Sequence, residues 1–310
     1  MNVKKIFALL LLPLLFLAAG CGGSKQELST LNIGLMPDTD SIPFIIAQEK
    51  GYFAEEGLNV ELQPFKSAMD RDSALQSGNL DGTVSDMLAV AFARDGGFDV
   101  RVTSMTDGSY KLIAAPGTKE PTAAALVGKE VAVSRNTIIE YVTDHIFSGN
   151  GLSADDIVKV VIPQIPTRLE LLQSGKLAAA TLPEPMASIA VHNGCRFVTG
   201  SDELGINPGV ILFTGKSTKD KQAEIKAMYR AYNKAVVYLN STARADYIDL
   251  VVEKSGFPPT AKEALVLPRY HEAALPKESD VTDCIAWLKG KDLIRKSYTY
   301  DELVLNMLAP

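Results

Sequence analysis

Four short polar stretches hold the side chains best suited to grip a small solute. They are Pro37-Asp38-Thr39-Asp40-Ser41, Ser85-Asp86, Ser134-Arg135-Asn136-Thr137 and Pro183-Glu184-Pro185. Each lies between an apolar run and an amphipathic stretch, which makes it the turn from a strand into a helix. The first turn of a helix leaves backbone N–H groups unpaired and carries a partial positive charge, so it suits an oxyanion or a carboxylate. Ser, Thr and Asp are also preferred N-caps of any helix. No single residue therefore decides; four such loops converging would make a binding site. The candidate ligand-binding residues are Asp38, Thr39, Ser41, Ser85, Asp86, Ser134, Asn136, Thr137 and Glu184.

Charge leans one way. Asp38, Asp40, Asp86 and Glu184 bring several acids to these loops, against Arg135 as the only nearby cation. That balance favours, by a small margin, a neutral or cationic ligand with N–H donors, such as an aminopyrimidine, over nitrate or a sulfonate. Tyr141 or Phe44 is expected to supply an aromatic wall. Glu184, stiffened by proline on both sides, is expected to present a fixed carboxylate to the ligand.

Catalysis is not expected, and neither is a metal or a cofactor. His145, His192 and His271 are the only histidines, and none stands in a metal-binding spacing or beside a candidate nucleophile. The stretch Gly209 to Ser217, GVILFTGKS, imitates a phosphate-binding loop. It has five residues between its glycines instead of four, and four of them are apolar strand formers. Val210 to Phe213 reads as a strand crossing between lobes.

The elements that must position the four loops follow from patterning. Short apolar runs at 31–36, 58–62, 80–84, 130–133, 158–162 and 177–181 alternate with helical stretches beginning near 43, 68, 86, 137, 166 and 185. That alternation marks an α/β fold with a largely parallel sheet. The phrase LQSGNLDGT at 75–83 returns as LQSGKLAAAT at 172–181. In both places a helix stops at Ser-Gly, a short strand follows, and a polar turn opens another helix. One supersecondary unit is used once in each of two lobes. After residue 220 the pattern is helical, and this tail is expected to pack on an existing lobe.

The chain has 31 basic and 37 acidic residues, for a net charge of −6. No basic run or Arg-rich helix exists, so nucleic acid is not an expected partner. Residues 1–20 read as a secretory signal peptide: Lys4 and Lys5 precede an apolar run that is too short to span a bilayer comfortably. Small residues then lead into Cys21, an arrangement that resembles a bacterial lipobox, so Cys21 is the expected lipidation site. Residues 21–30 make the lipidated cysteine and a tether. The chain is thus expected outside the cytoplasm, held to the cell membrane by lipid. Roughly 290 residues remain, enough for two domains. Cys195 and Cys284 fall in different lobes and read as two separate buried thiols.

The stretch Phe44 to Leu62, FIIAQEKGYFAEEGLNVEL, resembles the opening of type II periplasmic binding proteins of the nitrate, sulfonate, taurine and thiamine-precursor group. Ser77-Gly78 with Asp81, Leu126-Val127-Gly128-Lys129 and Thr181 to Ala187, TLPEPMA, resemble further phrases of that family. Met186 stands where the family often has an aromatic residue. The resemblance covers residues 31–213 well and the tail loosely. It implies two lobes, each a mixed sheet flanked by helices, joined by two crossing strands, with ligand in the cleft. One lobe would hold 31–113 plus 211–310, the other 114–210. The implied function is a monomeric, lipid-anchored solute-binding protein that hands its ligand to an ABC permease with its ATPase. Two alternatives stay open: a sensory or partner-binding lipoprotein, and an enzyme of pyrimidine or menaquinone synthesis.

Overall fold

The computed structural model describes residues 28–308; the expected signal peptide, Cys21 and the expected tether up to residue 27 lie outside the described residues. In chain order the first lobe runs β1 (Leu31–Leu35), α1 (Ile42–Glu49), α2 (Tyr52–Glu55), β2 (Val60–Pro64), α3 (Ala68–Gln76), β3 (Gly82–Asp86), α4 (Met87–Asp95) and β4 (Val100–Met105). The second lobe follows with β5 (Tyr110–Ala114), β6 (Glu130–Val133), α5 (Ile138–Gly149), β7 (Val158–Val161), α6 (Ile165–Gln173), β8 (Ala179–Pro183), α7 (Met186–His192) and β9 (Arg196–Gly200). After α8 (Ser201–Leu204), β10 (Gly209–Thr214) returns the chain to the first sheet. The tail then supplies α9 (Ser217–Asp220), α10 (Gln222–Ser241), α11 (Ile248–Lys254), α12 (Ala261–Ala264), α13 (Glu278–Gly290) and α14 (Tyr300–Leu303).

The two sheets share one topology. The first is ordered β2-β1-β3-β10-β4 and the second β7-β6-β8-β5-β9. In each, three parallel strands come from consecutive strand–helix units, and a fourth strand, antiparallel to its neighbours, is donated across the molecule: β10 to the first and β5 to the second. Interior strands are covered on both faces; every residue of β3, β8 and β10 is buried, the Thr, Ser and Asp of β3 included. Edge strands β2, β7 and β9 are half exposed.

The chain crosses between lobes at 106–109 and at 201–208, so Tyr110 to Ile113 belong to the second sheet and Gly209 and Val210 to the first. The crossings are tied to each other: Thr106 N–H donates to the Gly209 carbonyl at 3.1 Å, and the Asn207 amide donates to the Thr106 carbonyl. β4, β5 and β9 have no counterpart among the strands expected from patterning. Arg, Thr and Ser in β4, and Arg and Thr in β9, blur their apolar pattern.

The lobes are closed on each other. Thr39 N–H donates to the Glu184 carbonyl at 2.9 Å and Ile165 N–H to the Lys66 carbonyl at 3.1 Å. The tail packs on the first lobe through α10 and α1, and it also reaches the second. From α13, Asp283 accepts from the Tyr141 hydroxyl and lies 2.9 Å from His145 Nε2, while Lys291, just beyond it, pairs with Asp144 at 2.6 Å. The tail is thus an interlobe strap as well as a cover.

Candidate functional site

The cleft is built at the carboxyl ends of the strands, where ligands bind in open α/β sheets. Lobe one brings the loop after β1, the start of α3 and the turn from β3 into α4. Lobe two brings the turn from β6 into α5, the start of α6 and the end of β8. They enclose a cavity of about 40 Å³, against roughly 10–15 Å³ needed for one water by that measure. This is room for a compact polar group of a few heavy atoms. Its polar wall consists of Asp38, Arg71, Ser85, Asp86, Tyr110, Ser134, Thr137 and Arg168.

Arg71 and Arg168 dominate this wall, and the loop-by-loop reading named neither. Arg71 lies in the first turn of α3, which is N-capped by Ser67 through a 3.2 Å bond from Asp70 N–H. It is 3% exposed. Its Nε donates to Asp72 Oδ1 at 2.8 Å and Nη1 to the Val84 carbonyl at 3.3 Å, while Nη2 stands 4.0 Å from Asp86 Oδ2. Burial alone would lower its pKa, but Asp72 and Asp86 outweigh that and hold the guanidinium firmly charged.

Arg168, in the first turn of α6, is 0% exposed. Its Nη1 donates to the carbonyls of Ile162 at 2.9 Å and Pro163 at 3.3 Å, and its Nε and Nη2 have no partner. No carboxylate pairs with it among the described residues. Burial brings its pKa down to about 9, so at neutral pH it remains a cation. A buried guanidinium with two idle donors is costly unless something anionic arrives.

The candidate residues divide in two. Asp38, Ser85, Asp86, Ser134 and Thr137 line the cavity. Ser85 Oγ is buried without a partner and free to serve a ligand. Asp86 N-caps α4 by accepting from Ala89 N–H at 2.9 Å. Burial raises the pKa of Asp86 and lifts that of Asp38 to about 6.

Thr39, Ser41, Asn136 and Glu184 are not part of that lining. Thr39 braces the lobes through its backbone, and Ser41 Oγ bonds the Met36 backbone. Asn136 is exposed at φ 57°, with its N–H on Glu140. Glu184, expected to offer its carboxylate to the ligand, has it engaged within lobe two. Its Oε1 pairs with Lys111 Nζ at 2.6 Å and accepts from Ser188 Oγ at 2.8 Å, and its Oε2 accepts from Ser188 N–H at 3.0 Å. The carboxylate caps α7 instead. Arg135 is likewise exposed and outside the lining, so the cleft's cations are the two arginines above. The aromatic wall is Tyr110, whose hydroxyl donates to Asp40 Oδ2 at 3.1 Å. Phe44 packs on Tyr232 in the core, and Tyr141 packs on His145 and Trp287 at the strap.

A signal for the arginines existed. Extended four residues upstream, the repeated phrase reads Arg-x-x-x-Leu-Gln-Ser-Gly in both places, at Arg71 and at Arg168. Four residues is about one helical turn, so each arginine projects from the same face as the buried Leu75 or Leu172. The two lobes present equivalent arginines to one cleft.

This architecture is the two-lobed fold of periplasmic binding proteins. Residues 24–252 match the sequence model of the NMT1-like family, and the chain belongs to that family. It is 23% identical over 244 residues to a Bacillus subtilis protein named for binding aliphatic sulfonates, covering 74% of this chain and 73% of that one. Among solved structures it is similar to the alkanesulfonate-binding protein SsuA of Xanthomonas axonopodis bound to MOPS, with a TM-score of 0.76, 18% identity and coverage of 90% and 99%. The aliphatic sulphonate binding protein SsuA of Escherichia coli superposes with a TM-score of 0.74 at 17% identity, covering 89% of this chain and 92% of that one.

Proposed function

We propose that this protein is the extracytoplasmic solute-binding component of an ABC importer and that it captures a small oxyanion, of sulfonate or carboxylate type, between its lobes. The family and the relatives named for sulfonate binding support the transport role. Arg168 carries the oxyanion reading: a fully buried guanidinium with two unpartnered nitrogens faces an interlobe cavity, and no acid among the described residues satisfies it. An aminopyrimidine would leave those donors idle. An oxyanion would accept from Arg168, from Ser85 and from Arg71 Nη2, and a planar guanidinium can bond it in bidentate fashion.

Because the arginines come from different lobes, an anion between them stabilises the closed arrangement more than an open one. That differential affinity is what ligand-driven closure requires. Closure would present both lobe surfaces to a permease and its ATPase. Attachment through a lipid on Cys21 would keep the protein near that partner; loss of membrane retention in Cys21→Ala is the check.

The test of the ligand class is calorimetry with methanesulfonate, taurine, nitrate and an aminopyrimidine. Binding of one of the anions, abolished in Arg168→Met, is the expected result. Tight aminopyrimidine binding that survives Arg168→Met overturns it. At a hundredfold excess over its dissociation constant, the ligand should stabilise the fold by about 2.7 kcal/mol.

A further inference from the structure

A second, larger compartment lies beside the anion cavity. It is a groove of about 520 Å³ between the lobes, inside the roughly 300–1,000 Å³ typical of sites for drug-sized molecules. Its walls are apolar: Leu35, Ile45 and Phe65 from lobe one, Leu169 and Met186 from lobe two, and Pro258 from the tail. α6 stands between the compartments, with Arg168 on one and Leu169 on the other, and Met36 borders both.

Its polar atoms are mostly donors. Gln173 Nε2 and Ser255 Oγ are shielded from solvent and have no hydrogen-bond partner. Lys66 forms no ion pair among the described residues, whereas Lys254 pairs with Glu49 at 3.4 Å. Glu170 is the one acid in the lining. An apolar chamber with unpaired donors and a spare ammonium is complementary to an apolar body that ends in an acceptor anion.

We propose that this groove is a second binding site, taking an amphipathic carboxylate whose apolar chain lies against Phe65 and Leu169 and whose head is held by Lys66 and Gln173. The site does not depend on what fills the anion cavity. Its walls come from both lobes, so occupancy stabilises the closed arrangement, and the two ligands should strengthen each other's binding reciprocally.

The test uses decanoate as the probe, with decanol as its uncharged counterpart, in calorimetry on the purified protein. Decanoate should bind saturably, and more tightly than decanol. Lys66→Glu, at an exposed position that carries no packing, should weaken decanoate at least tenfold, and Lys66→Arg should preserve it. Gln173→Glu, checked for an unchanged melting temperature, should weaken it as well. No saturable binding overturns the proposal. So does an affinity indifferent to both glutamate variants, since the head would then sit elsewhere, in the anion cavity included. Equal affinity for decanol removes the anionic head. Sedimentation showing a stable dimer that excludes decanoate would assign the groove to a second copy of this chain, and the proposal would fall.

Discussion

Arg71 and Arg168 occupy the same place in two copies of one structural phrase, yet they are electrostatically opposite. Each stands one turn before a Leu-Gln-Ser-Gly ending, and each helix closes on a left-handed glycine, Gly78 at φ 81° and Gly175 at φ 70°. The closing bonds also match: Asn79 N–H to Ala74 at 3.0 Å and Lys176 N–H to Leu171 at 3.1 Å. What differs is the next residue, Asp72 in one copy and Leu169 in the other. Asp72, with Asp86 behind it, neutralises Arg71, while Arg168 sees only carbonyl oxygens. Local structure was duplicated and charge balance was not. Lobe one holds a settled ion pair, and lobe two holds a charge that waits for a partner.

The largest test of that contrast is Arg168→Met. It should cost anion affinity about a hundredfold or more, since losing one partner of a desolvated charge pair costs roughly 2–5 kcal/mol. It should also raise the stability of the ligand-free protein, on the order of 1–4 kcal/mol, because a buried uncompensated charge gives way to a packed apolar chain. Calorimetry of binding and of unfolding reads both signs.

Arg71→Met should move stability the other way. It strands Asp72 and the buried Asp86 without their cation, so the free protein should lose about 3 kcal/mol. Affinity should fall less than for Arg168→Met, by about tenfold, since most donors of Arg71 are already engaged. If both variants shift the melting temperature in one direction, the contrast fails.

Titration sharpens it further. Burial depresses Arg168 to about 9. Above that pH the folded protein has released a proton that the unfolded chain keeps, so ligand-free stability should rise with pH in that window. Anion affinity should fall over the same window. Asp38 behaves oppositely: burial raises it from 3.8 to about 6. Between those values the folded state holds more protons than the unfolded one, so stability should decline as pH climbs through them. Asp38→Asn should flatten that decline, with no difference from wild type below about pH 4. Unfolding midpoints across pH check both slopes.

Glu184→Ala is the smallest effect expected. Its carboxylate is committed to Lys111 and Ser188, so the change should cost about 1–3 kcal/mol of stability. Anion affinity should stay within about twofold of wild type, because the side chain is outside the cavity lining. A tenfold loss of affinity would return Glu184 to the site.

Much of the fold was legible because its signals are local. Apolar periodicity located β1, β3, β6 and β8 within two residues, and Ser-Gly stops located the ends of α3 and α6. The candidate loops were right in kind, since a polar strand–helix turn is a property of adjacent residues. The donated strand β5 was not legible, because pairing with β8 and β9 makes it a strand, and those partners lie about 70 and 85 residues away.

The sequence by itself determined two similar α/β units, their caps and the four turns that face each other. Tertiary structure alone decided where each charge ends up. Glu184 finds Lys111 on the neighbouring strand, and Asp86 shares a cleft with the start of α5. Arg168 is held by the second lobe's own backbone, with no acid paired to it among the described residues. Charge pairing and desolvation depend on distances that chain order does not encode, and so the residue that defines the site shows its character only in the closed molecule.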